Sequence, residues 1–255
     1  MSEQQKFPEF YVTAPQPCPY LENRYERKLF THLTSEKPLA HIDNLLRSGF
    51  RRSQNIAYVP YCDGCQACVS IRVAVDDFQP TRSMRRIVDR NGDLRARRIE
   101  PVPTSEQYAL FRSYIDSRHS DGGMADMSVL DYAMMIEDSV IDTFITEYRA
   151  RPPGVPHVSY RDRADAWPLK AVALCDKLSD GVSMVYSFYD TTEEAMSLGT
   201  YMIIEHIAHA RSLGLPYLYL GYWIAGSRKM NYKSRFGPQE HLGPDGWVRA
   251  TTGST

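Results

Sequence analysis

The sequence predicts an α/β protein whose main sheet is mostly antiparallel. Two apolar, β-branched runs, LKAVALCDKL and VSMVYSFYD, are joined by Ser179-Asp180-Gly181, a connection typical of a hairpin. Residues 193–213 have the pattern of a helix that ends at Gly214, and the apolar run PYLYLGYW follows it as a buried strand. This strand–strand–helix–strand order, after two leading helices, favours the α/β class.

The composition is that of an ordinary globular protein. The chain has 255 residues, 43% of them hydrophobic and 24% charged, with a formal net charge of -1. These values exclude disordered, collagen-like and small disulfide-stapled chains. No run approaches the roughly 20 apolar residues of a membrane span, and the first residues lack the pattern of a secretory signal. We therefore expect a cytosolic location, where the five cysteines are thiols or metal ligands.

The first hundred residues are predicted to contain mainly extended chain. Several prolines keep the opening stretch extended, and residues 36–49 form a short helix with Gly49 at its C-cap. From 50 to 75 the runs IAYVPY and VSIRVAV read as strands, with a cluster of cysteines in the turn between them. The arginine-rich stretch that follows carries an Asn91-Gly92 turn signal, which predicts a hairpin.

Pro101 and Pro103 are the natural boundary between a domain of residues 1–100 and a domain of residues 101–255. Just beyond them, Thr104 is a candidate N-cap for a helix that runs to about residue 118. Further helices are predicted at 128–138 and 226–236.

Motifs along nearly the whole chain resemble those of one enzyme family. The first half contains PCPYLENRYERKLF, GFRRSQNIAYVPYCDGCQACVSIRV and FQPTRSMRRIVDRNGDL, and the second contains AVALCDKLSDGVSMVYSFYD and SLGTYMIIEHIAHARSLGLPYLYLGYWIAGSRKMNYKSRFGPQE. From about Cys18 to Glu240 they are similar, in the same order, to the aminoacyl-tRNA–protein transferases. The match is to the short bacterial aspartate/glutamate leucyltransferases, which are related to eukaryotic arginyltransferases.

The resemblance implies a GNAT-like acyltransferase fold in the C-terminal half and a smaller N-terminal domain. It also implies transfer of leucine from leucyl-tRNA to acceptor proteins that begin with Asp or Glu, which marks them for degradation in the N-degron pathway. An aminoacyl ester is already activated, so this chemistry needs no nucleotide-binding loop, and neither G-x-x-x-x-G-K-[ST] nor G-x-G-x-x-G occurs.

The resemblance places the acyl-transfer centre in residues 217–237, because in GNAT-like folds the strand before the last helix parts from its neighbour. Tyrosine hydroxyls and lysine ammoniums there could hold the terminal ribose, stabilise an oxyanion or relay the amine's proton. Each tyrosine could equally be an amphipathic core residue. The candidate catalytic residues are Tyr222, Lys229, Tyr232 and Lys233, with Tyr219 as a candidate for substrate binding.

Arginines are the candidates for binding an anionic partner. Between Arg82 and Arg98, seven arginines stand against only two aspartates. The guanidinium fork suits tRNA phosphates and the acceptor's carboxylate alike, and an exposed strand face is the alternative to both. The positions that match the family pattern best are Arg82, Arg85 and Arg86, and the pair beside the cysteine turn, Arg51 and Arg52, is assigned to the acidic acceptor or the tRNA end.

Four cysteines form a possible metal site. Cys62, Cys65 and Cys68 follow a C-x-x-C-x-x-C spacing, and Cys18 is a possible fourth ligand. Four thiolates could hold zinc or an iron–sulfur cluster, but the set could also be free thiols that pack the turn between two strands. The resemblance supports the metal interpretation, because related eukaryotic transferases are thought to use N-terminal cysteines in this way.

Three alternatives to leucyl transfer remain open. The donor could be arginine from arginyl-tRNA, since the sequence does not display the donor's pocket. The chain could also be a non-catalytic RNA- or degron-binding module on the same fold. A small-molecule N-acetyltransferase is the third class, but Ala195–Tyr201 lacks the [QR]-x-x-G-x-[GA] loop that binds the pyrophosphate of coenzyme A.

Overall fold

A computed structural model of the chain describes residues 9–120, 122–154 and 166–250. In chain order its strands are β1 (Tyr11–Val12), β2 (Gln16–Pro17), β3 (Tyr25–Glu26), β4 (Lys28–His32), β5 (Arg51–Ser53), β6 (Ile56–Pro60), β7 (Val69–Ala74), β8 (Leu94–Ile99), β9 (Thr143–Ala150), β10 (Leu169–Lys177), β11 (Gly181–Tyr189), β12 (Tyr217–Trp223), β13 (Gln239–Gly243) and β14 (Gly246–Arg249). Its α-helices are α1 (Leu39–Arg47), α2 (Arg82–Arg90), α3 (Ser105–Arg118), α4 (Val129–Glu137) and α5 (Leu198–Ser212).

An eight-stranded sheet in the order β14-β13-β7-β12-β11-β10-β9-β8 forms the centre of the protein. Within it β11 and β12 are parallel, and the other described neighbours are antiparallel. The α/β class and the mostly antiparallel sheet are therefore confirmed. A smaller sheet in the order β1-β4-β6-β5 and a two-stranded pair, β2-β3, come from the first sixty residues.

Helix ends lie where the capping residues predict them. The Thr104 side chain accepts from the backbone of Gln107, whose own side chain accepts in return, so α3 begins with a complete capping box. Gly49 after α1 and Gly214 after α5 both have positive φ, and the residue beyond each donates to the third carbonyl from the helix end. Both helices thus end in Schellman motifs, which favour glycine.

The hairpin predicted for the arginine-rich stretch is wrong. Residues 82–90 form α2, whose N-cap is Thr81, and only residues 94–99 form a strand, which pairs with β9. Met84 and Ile87 are buried one helical turn apart, and this apolar spacing was masked by the surrounding arginines. Asn91 is the helix C-cap rather than a hairpin turn.

Other segments differ in kind or were not predicted. The helix predicted at 226–236 is a short 3-10 helix, Asn231–Arg235. Strand β9 and the hairpin of β13 and β14 were not predicted, although Pro244-Asp245-Gly246 is a turn signal between the latter two. The irregular connection expected after residue 150 lies largely outside the described residues.

Apolar side chains cover both faces of the large sheet. Alternate residues of β10 belong to two different clusters, so Ala171 and Val172 face opposite sides. Helices α2 and α5 pack on the first side, and α3 and α4 on the second. Helix α1 joins a third cluster with Tyr219 of β12, on the side opposite to α5.

The large sheet draws strands from both sides of the boundary predicted at Pro101 and Pro103. Strand β7 lies between β13 and β12, and β8 is the edge strand beside β9. The division into residues 1–100 and 101–255 stays a prediction.

Among the described helices, none combines the length and the apolar character needed to cross a bilayer.

A buried histidine on α5 makes stability depend on pH. His206 Nδ1 donates to the Met202 carbonyl and Nε2 lies 3.2 Å from the Thr146 hydroxyl, as expected of a neutral imidazole. Burial lowers its pKa from 6.5 to about 4. Between these values the unfolded chain binds more protons than the folded one, so stability is fully present above about pH 6.5 and falls as the pH drops toward 4.

We therefore predict that the wild type loses about 3 kcal/mol more stability than His206→Gln between pH 7 and pH 4. Urea unfolding of both proteins across this range measures the difference. Parallel stability curves for the two would contradict the assignment.

Candidate active site

The parallel strands β11 and β12 separate part-way along their length. They pair only from Gly181 to Ser183 against Tyr217 to Tyr219, and beyond these residues no register joins them. Each strand also has a bulge at the separation, at Val185 where β11 faces β10 and at Leu220 where β12 faces β7. The strands therefore open a gap at the position where the resemblance to GNAT-type enzymes expects the acyl group.

The guanidinium of Arg51 lies in this gap. Its Nη2 donates to the carbonyls of Met184 (2.8 Å) and Val185 (3.0 Å), both beside the bulge of β11. On the other side it lies against Gly221 of β12, where an added Cβ would come within 2.8 Å of the guanidinium carbon. Gly221 also has φ +75°, a conformation that favours glycine, and a Cβ at this position would force the Arg51 guanidinium to move.

Lys233 reaches the same gap from the 3-10 helix after β12. Its Nζ donates to the Tyr222 carbonyl at 2.6 Å, and the residue is buried. Burial, together with the nearby charge of Arg51, lowers the pKa of Lys233 from 10.5 to about 7. A lysine that is partly neutral near pH 7 can accept a proton, which an ordinary surface lysine cannot.

Tyr222 holds the N-terminal part of the chain rather than facing the gap with its hydroxyl. Its Oη lies 3.0 Å from the Gly49 carbonyl and 3.1 Å from the Tyr58 carbonyl, and it donates to this pair. Ser70 Oγ donates to the same Gly49 carbonyl. The hydrogen-bonding capacity of the Tyr222 hydroxyl is used to fix the chain next to Arg51, so this geometry does not favour its catalytic role, which stays a prediction.

Aromatic residues from three elements lie close together near Arg51, in a region that we call the cleft. The Tyr114 ring at the end of α3 lies 5.0 Å from that of Tyr189 on β11 and 5.4 Å from that of His119. Burial raises the pKa of Tyr114, and Tyr189 and Tyr232 raise it further, so Tyr232 belongs to the same cleft. The Tyr232 side of the cleft is open to solvent, since 45% of this residue is exposed.

Lys229 is exposed at the same cleft, and its charge contributes, after burial, to lowering the pKa of His119. The Lys233 Nζ lies 5.9 Å from the centroid of the Tyr232 ring, and the catalytic role of Lys229, Tyr232 and Lys233 stays a prediction. The sequence did not predict Tyr114 or Tyr189, because no local motif marks a tyrosine that only the tertiary fold brings to the cleft.

The arginines predicted to bind an anion form an exposed row on α2. Arg82, Arg85 and Arg86 are all exposed, while Met84 and Ile87 anchor the opposite side of the helix. The end of α2 is tied to the start of α5, since Asn91 Nδ2 donates to the Met196 carbonyl at 2.8 Å and Arg90 donates to the Ala195 carbonyl. Gly199, in the first turn of α5, packs against the ring of Tyr189 in the cleft.

Arg52 does not belong to this site. Its side chain is 1% exposed, and its Nε and Nη2 each lie 2.7 Å from the Asp176 carboxylate, which is also 1% exposed. Thr143 Oγ1 donates to the same carboxylate at 2.7 Å. The neighbouring residues Arg51 and Arg52 point to opposite sides of β5, and only Arg51 reaches the gap.

Tyr219 is also committed to packing. Its hydroxyl accepts from Arg72 Nη1 at 2.9 Å and lies 3.1 Å from the Asp180 carboxylate. The Arg72 guanidinium is stacked between the rings of Tyr217 and Trp247, with centroids 3.4 and 4.3 Å away. This cluster packs β14 of the C-terminal hairpin against β7 and β12, so the geometry does not favour substrate binding by Tyr219, which stays a prediction.

The four N-terminal cysteines lie near one another. Cys62 and Cys65 pair through their backbones, and Cys18, Cys62 and Cys65 each contribute, after burial, to raising the pKa of Cys68 to about 11. Within the described ranges, no group of three or more potential ligands has the arrangement of a metal site. The fifth cysteine, Cys175, is buried in β10, as its apolar surroundings predict.

The buried pair predicts the behaviour of Arg52 variants. We expect Arg52→Met to lower the free energy of unfolding by about 3–5 kcal/mol, because it leaves the Asp176 carboxylate buried without its partner. The double variant Arg52→Met/Asp176→Leu should recover much of that loss. Denaturant titrations measure both, and a single variant of wild-type stability with a raised KM would instead support substrate binding by Arg52.

Comparison with known proteins identifies a family whose sequences match this chain. The family described as "Arginine-tRNA-protein transferase, C terminus" matches residues 106–243, and its N-terminal counterpart matches residues 16–86. Among solved structures, the chain matches FemX at 9% identity with a TM-score of 0.49, covering 82% of this chain and 67% of that one. That likeness is too weak to carry an argument.

Curated relatives are far more similar. An aspartate/glutamate leucyltransferase of Bradyrhizobium sp. (strain ORS 278) is 58% identical over 95% of this chain and 92% of its own length. Enzymes of the same name from Methylobacterium nodulans and Mesorhizobium japonicum are 57% and 54% identical, over 95% and 96% of this chain and 96% and 94% of their own lengths. These matches lead to one conclusion: the chain belongs to the aminoacyl-tRNA–protein transferase family.

Proposed function

We propose that this protein transfers leucine from leucyl-tRNA to the α-amino group of proteins that begin with Asp or Glu. The observation that carries the proposal is the gap between β11 and β12, which combines a fixed guanidinium from Arg51 with the buried amine of Lys233. The names of the most similar relatives support leucine as the donated residue and the acidic residues as acceptors. The product would carry a new N-terminal residue that marks it for degradation.

The proposed reaction is an aminolysis of the tRNA ester. The acceptor's amine attacks the leucyl carbonyl, a C–N bond forms, and the bond from the carbonyl carbon to the ribose oxygen breaks. The amine loses a proton and the ribose oxygen gains one, so a group that accepts and returns a proton is useful at the reacting centre. Lys233 has a near-neutral pKa for this role, and the remaining rate comes from holding two substrates together.

The path for tRNA proposed here runs over α2 and the start of α5. Exposed Arg82, Arg85 and Arg86 suit phosphate contacts, and the Asn91 link joins α2 to the segment that leads to the cleft. The terminal adenosine would then enter beside Tyr189, with Tyr232 and Lys229 on the opposite wall. For the other arginines between residues 82 and 98, charge is the only support for a tRNA contact, so they are not part of the proposed path.

We also propose that Cys18, Cys62, Cys65 and Cys68 hold zinc or an iron–sulfur cluster. Burial, and then the neighbouring thiols, raise the pKa of Cys68 to about 11, so these thiols become thiolates together only beside a strong positive charge, which a metal would supply. Metal analysis of anaerobically purified protein beside Cys62→Ser tests this. Metal-free wild-type protein with full activity would contradict it.

The cytosolic location expected from the sequence is likewise part of the proposal.

The direct test is an incubation of the protein with radiolabelled aminoacyl-tRNA and a peptide that begins with Asp. We expect labelled peptide with leucyl-tRNA and little with arginyl-tRNA, because the relatives are leucyltransferases. Labelling with arginyl-tRNA alone would reverse the donor. If neither tRNA labels the peptide while RNA binding persists, the protein is a binding module, and retention on immobilised coenzyme A would favour a small-molecule acetyltransferase.

The pKa of Lys233 predicts the pH dependence of transfer. Because the neutral amine is the proton acceptor, kcat/KM should rise with pH through about 7, in addition to the rise caused by the acceptor's own amine at about 7.7–8.0. Lys233→Met should remove the lower inflection and reduce kcat by roughly 10²-fold or more. Lys233→Arg should not restore activity, since arginine keeps its proton.

Rate measurements from pH 6 to 9 test this prediction, with thermal unfolding as the control for folding. A wild-type inflection that persists in Lys233→Met would show that another group accepts the proton.

A further inference from the structure

Arg51 is a cation for which the described residues provide no counter-charge. It forms no ion pair with a carboxylate of the described residues, although Arg52, its neighbour, has one. Its Nη1 is buried and has no hydrogen-bond partner among the described atoms. A buried donor of a charged group left unpaired is costly, so its presence requires an explanation, and a bound anion would supply one.

The second cation at the gap is not a permanent one. Among the described residues Lys233 Nζ donates to the Tyr222 carbonyl alone, and its pKa of about 7 allows the amine to be neutral before it accepts a proton. Arginine, by contrast, remains protonated in proteins. Arg51 therefore supplies the lasting positive charge between β11 and β12, and the gap is arranged for an anion that is present before the reaction begins.

The acceptor brings such an anion close to the reacting atoms. In a protein that begins with Asp, the side-chain carboxylate and the attacking amine are only a few covalent bonds apart. A group that distinguishes Asp from Asn must therefore lie beside the carbonyl under attack, which the proposed function puts in this gap. Tyr232 lies near Arg51 and is 45% exposed, so the acceptor's first residue would approach from this side.

We propose that Arg51 is the specificity-determining residue for the acceptor, and that its guanidinium binds the side-chain carboxylate of the N-terminal Asp or Glu. This inference rests on the proposed function. The contacts to the Met184 and Val185 carbonyls fix the guanidinium in the gap, and Nη1 is the donor left for the carboxylate. Gly221 is required beside it because any larger side chain would displace the guanidinium.

Two other anions of the reaction could use the same charge. An oxyanion on the leucyl carbonyl forms with every acceptor. If Arg51 stabilises that oxyanion, replacing Arg51 would slow transfer to all acceptors equally. If Arg51 instead binds a phosphate near the tRNA 3′ end, replacing Arg51 would lower the affinity for tRNA. The preference for an acidic acceptor over its amide isostere separates the carboxylate from both.

The experiment measures kcat/KM with leucyl-tRNA for four peptides that differ only in the first residue: Asp, Glu, Asn or Gln. For Arg51→Gln we expect kcat/KM on the Asp and Glu peptides to fall by about 30-fold or more, with a far smaller change on the Asn and Gln peptides. Arg51→Lys, which keeps the charge, should retain part of the acidic preference. The dissociation constant of leucyl-tRNA should stay the same in both variants.

Arg85→Gln is the matched control, an arginine exchanged on the proposed tRNA surface. It should weaken tRNA binding and leave the ratio of Asp to Asn acceptors unchanged. Thermal unfolding identifies a variant that fails to fold, and the ratio remains informative in a partly unfolded sample because both peptides meet the same active fraction.

An equal fall on all four peptides, or an unchanged Asp-to-Asn ratio in folded Arg51→Gln, would overturn the inference while leaving the proposed function intact. Wild-type protein that labels none of the four peptides would overturn the proposed function itself.

Discussion

The separation of β11 from β12 is the constraint on which the rest of this structure depends. Two parallel strands that stayed paired would satisfy their own backbone groups and leave no room for a substrate. Here the Met184 and Val185 carbonyls, which lie where the strands part, accept instead from the guanidinium of Arg51. The Arg51 side chain thus supplies hydrogen-bond donors where β11 and β12 no longer pair, and it brings a positive charge into the centre of the sheet.

The N-terminal segment positions the Arg51 side chain in the gap. Strand β5 begins at Arg51, and the preceding turn is fixed because the Gly49 carbonyl accepts hydrogen bonds from Ser70 and Tyr222. Gly49 itself has φ +96° and closes α1, so one residue ends a helix and aims the next strand. Arg52, one residue on, is buried against Asp176 and holds β5 onto the other side of the sheet. Binding and stability are therefore divided between adjacent arginines.

Much of the fold could be predicted from local sequence signals, and the site only in part. Thr104, Gly49 and Gly214 predicted helix ends because capping depends on neighbouring residues. The Asn91-Gly92 signal misled because the burial of Met84 and Ile87 against the rest of the protein overrode a local turn preference. Lys233 and Tyr232 were found through the resemblance, but the different fates of Arg51 and Arg52 depend on which face of β5 each occupies. That choice is set by partners such as Asp176, more than a hundred residues away, which no local pattern shows.

The central claim is that the acyl carbonyl of a charged tRNA enters the gap between β11 and β12. A structure of the complex with a leucyl-adenosine analogue, in which an amide replaces the ester, tests it most directly. The account predicts the leucyl carbonyl at the open end of this gap, beside the Arg51 guanidinium and within hydrogen-bonding reach of Lys233 Nζ. An analogue bound with its carbonyl outside that gap, or on another face of the sheet, would contradict it.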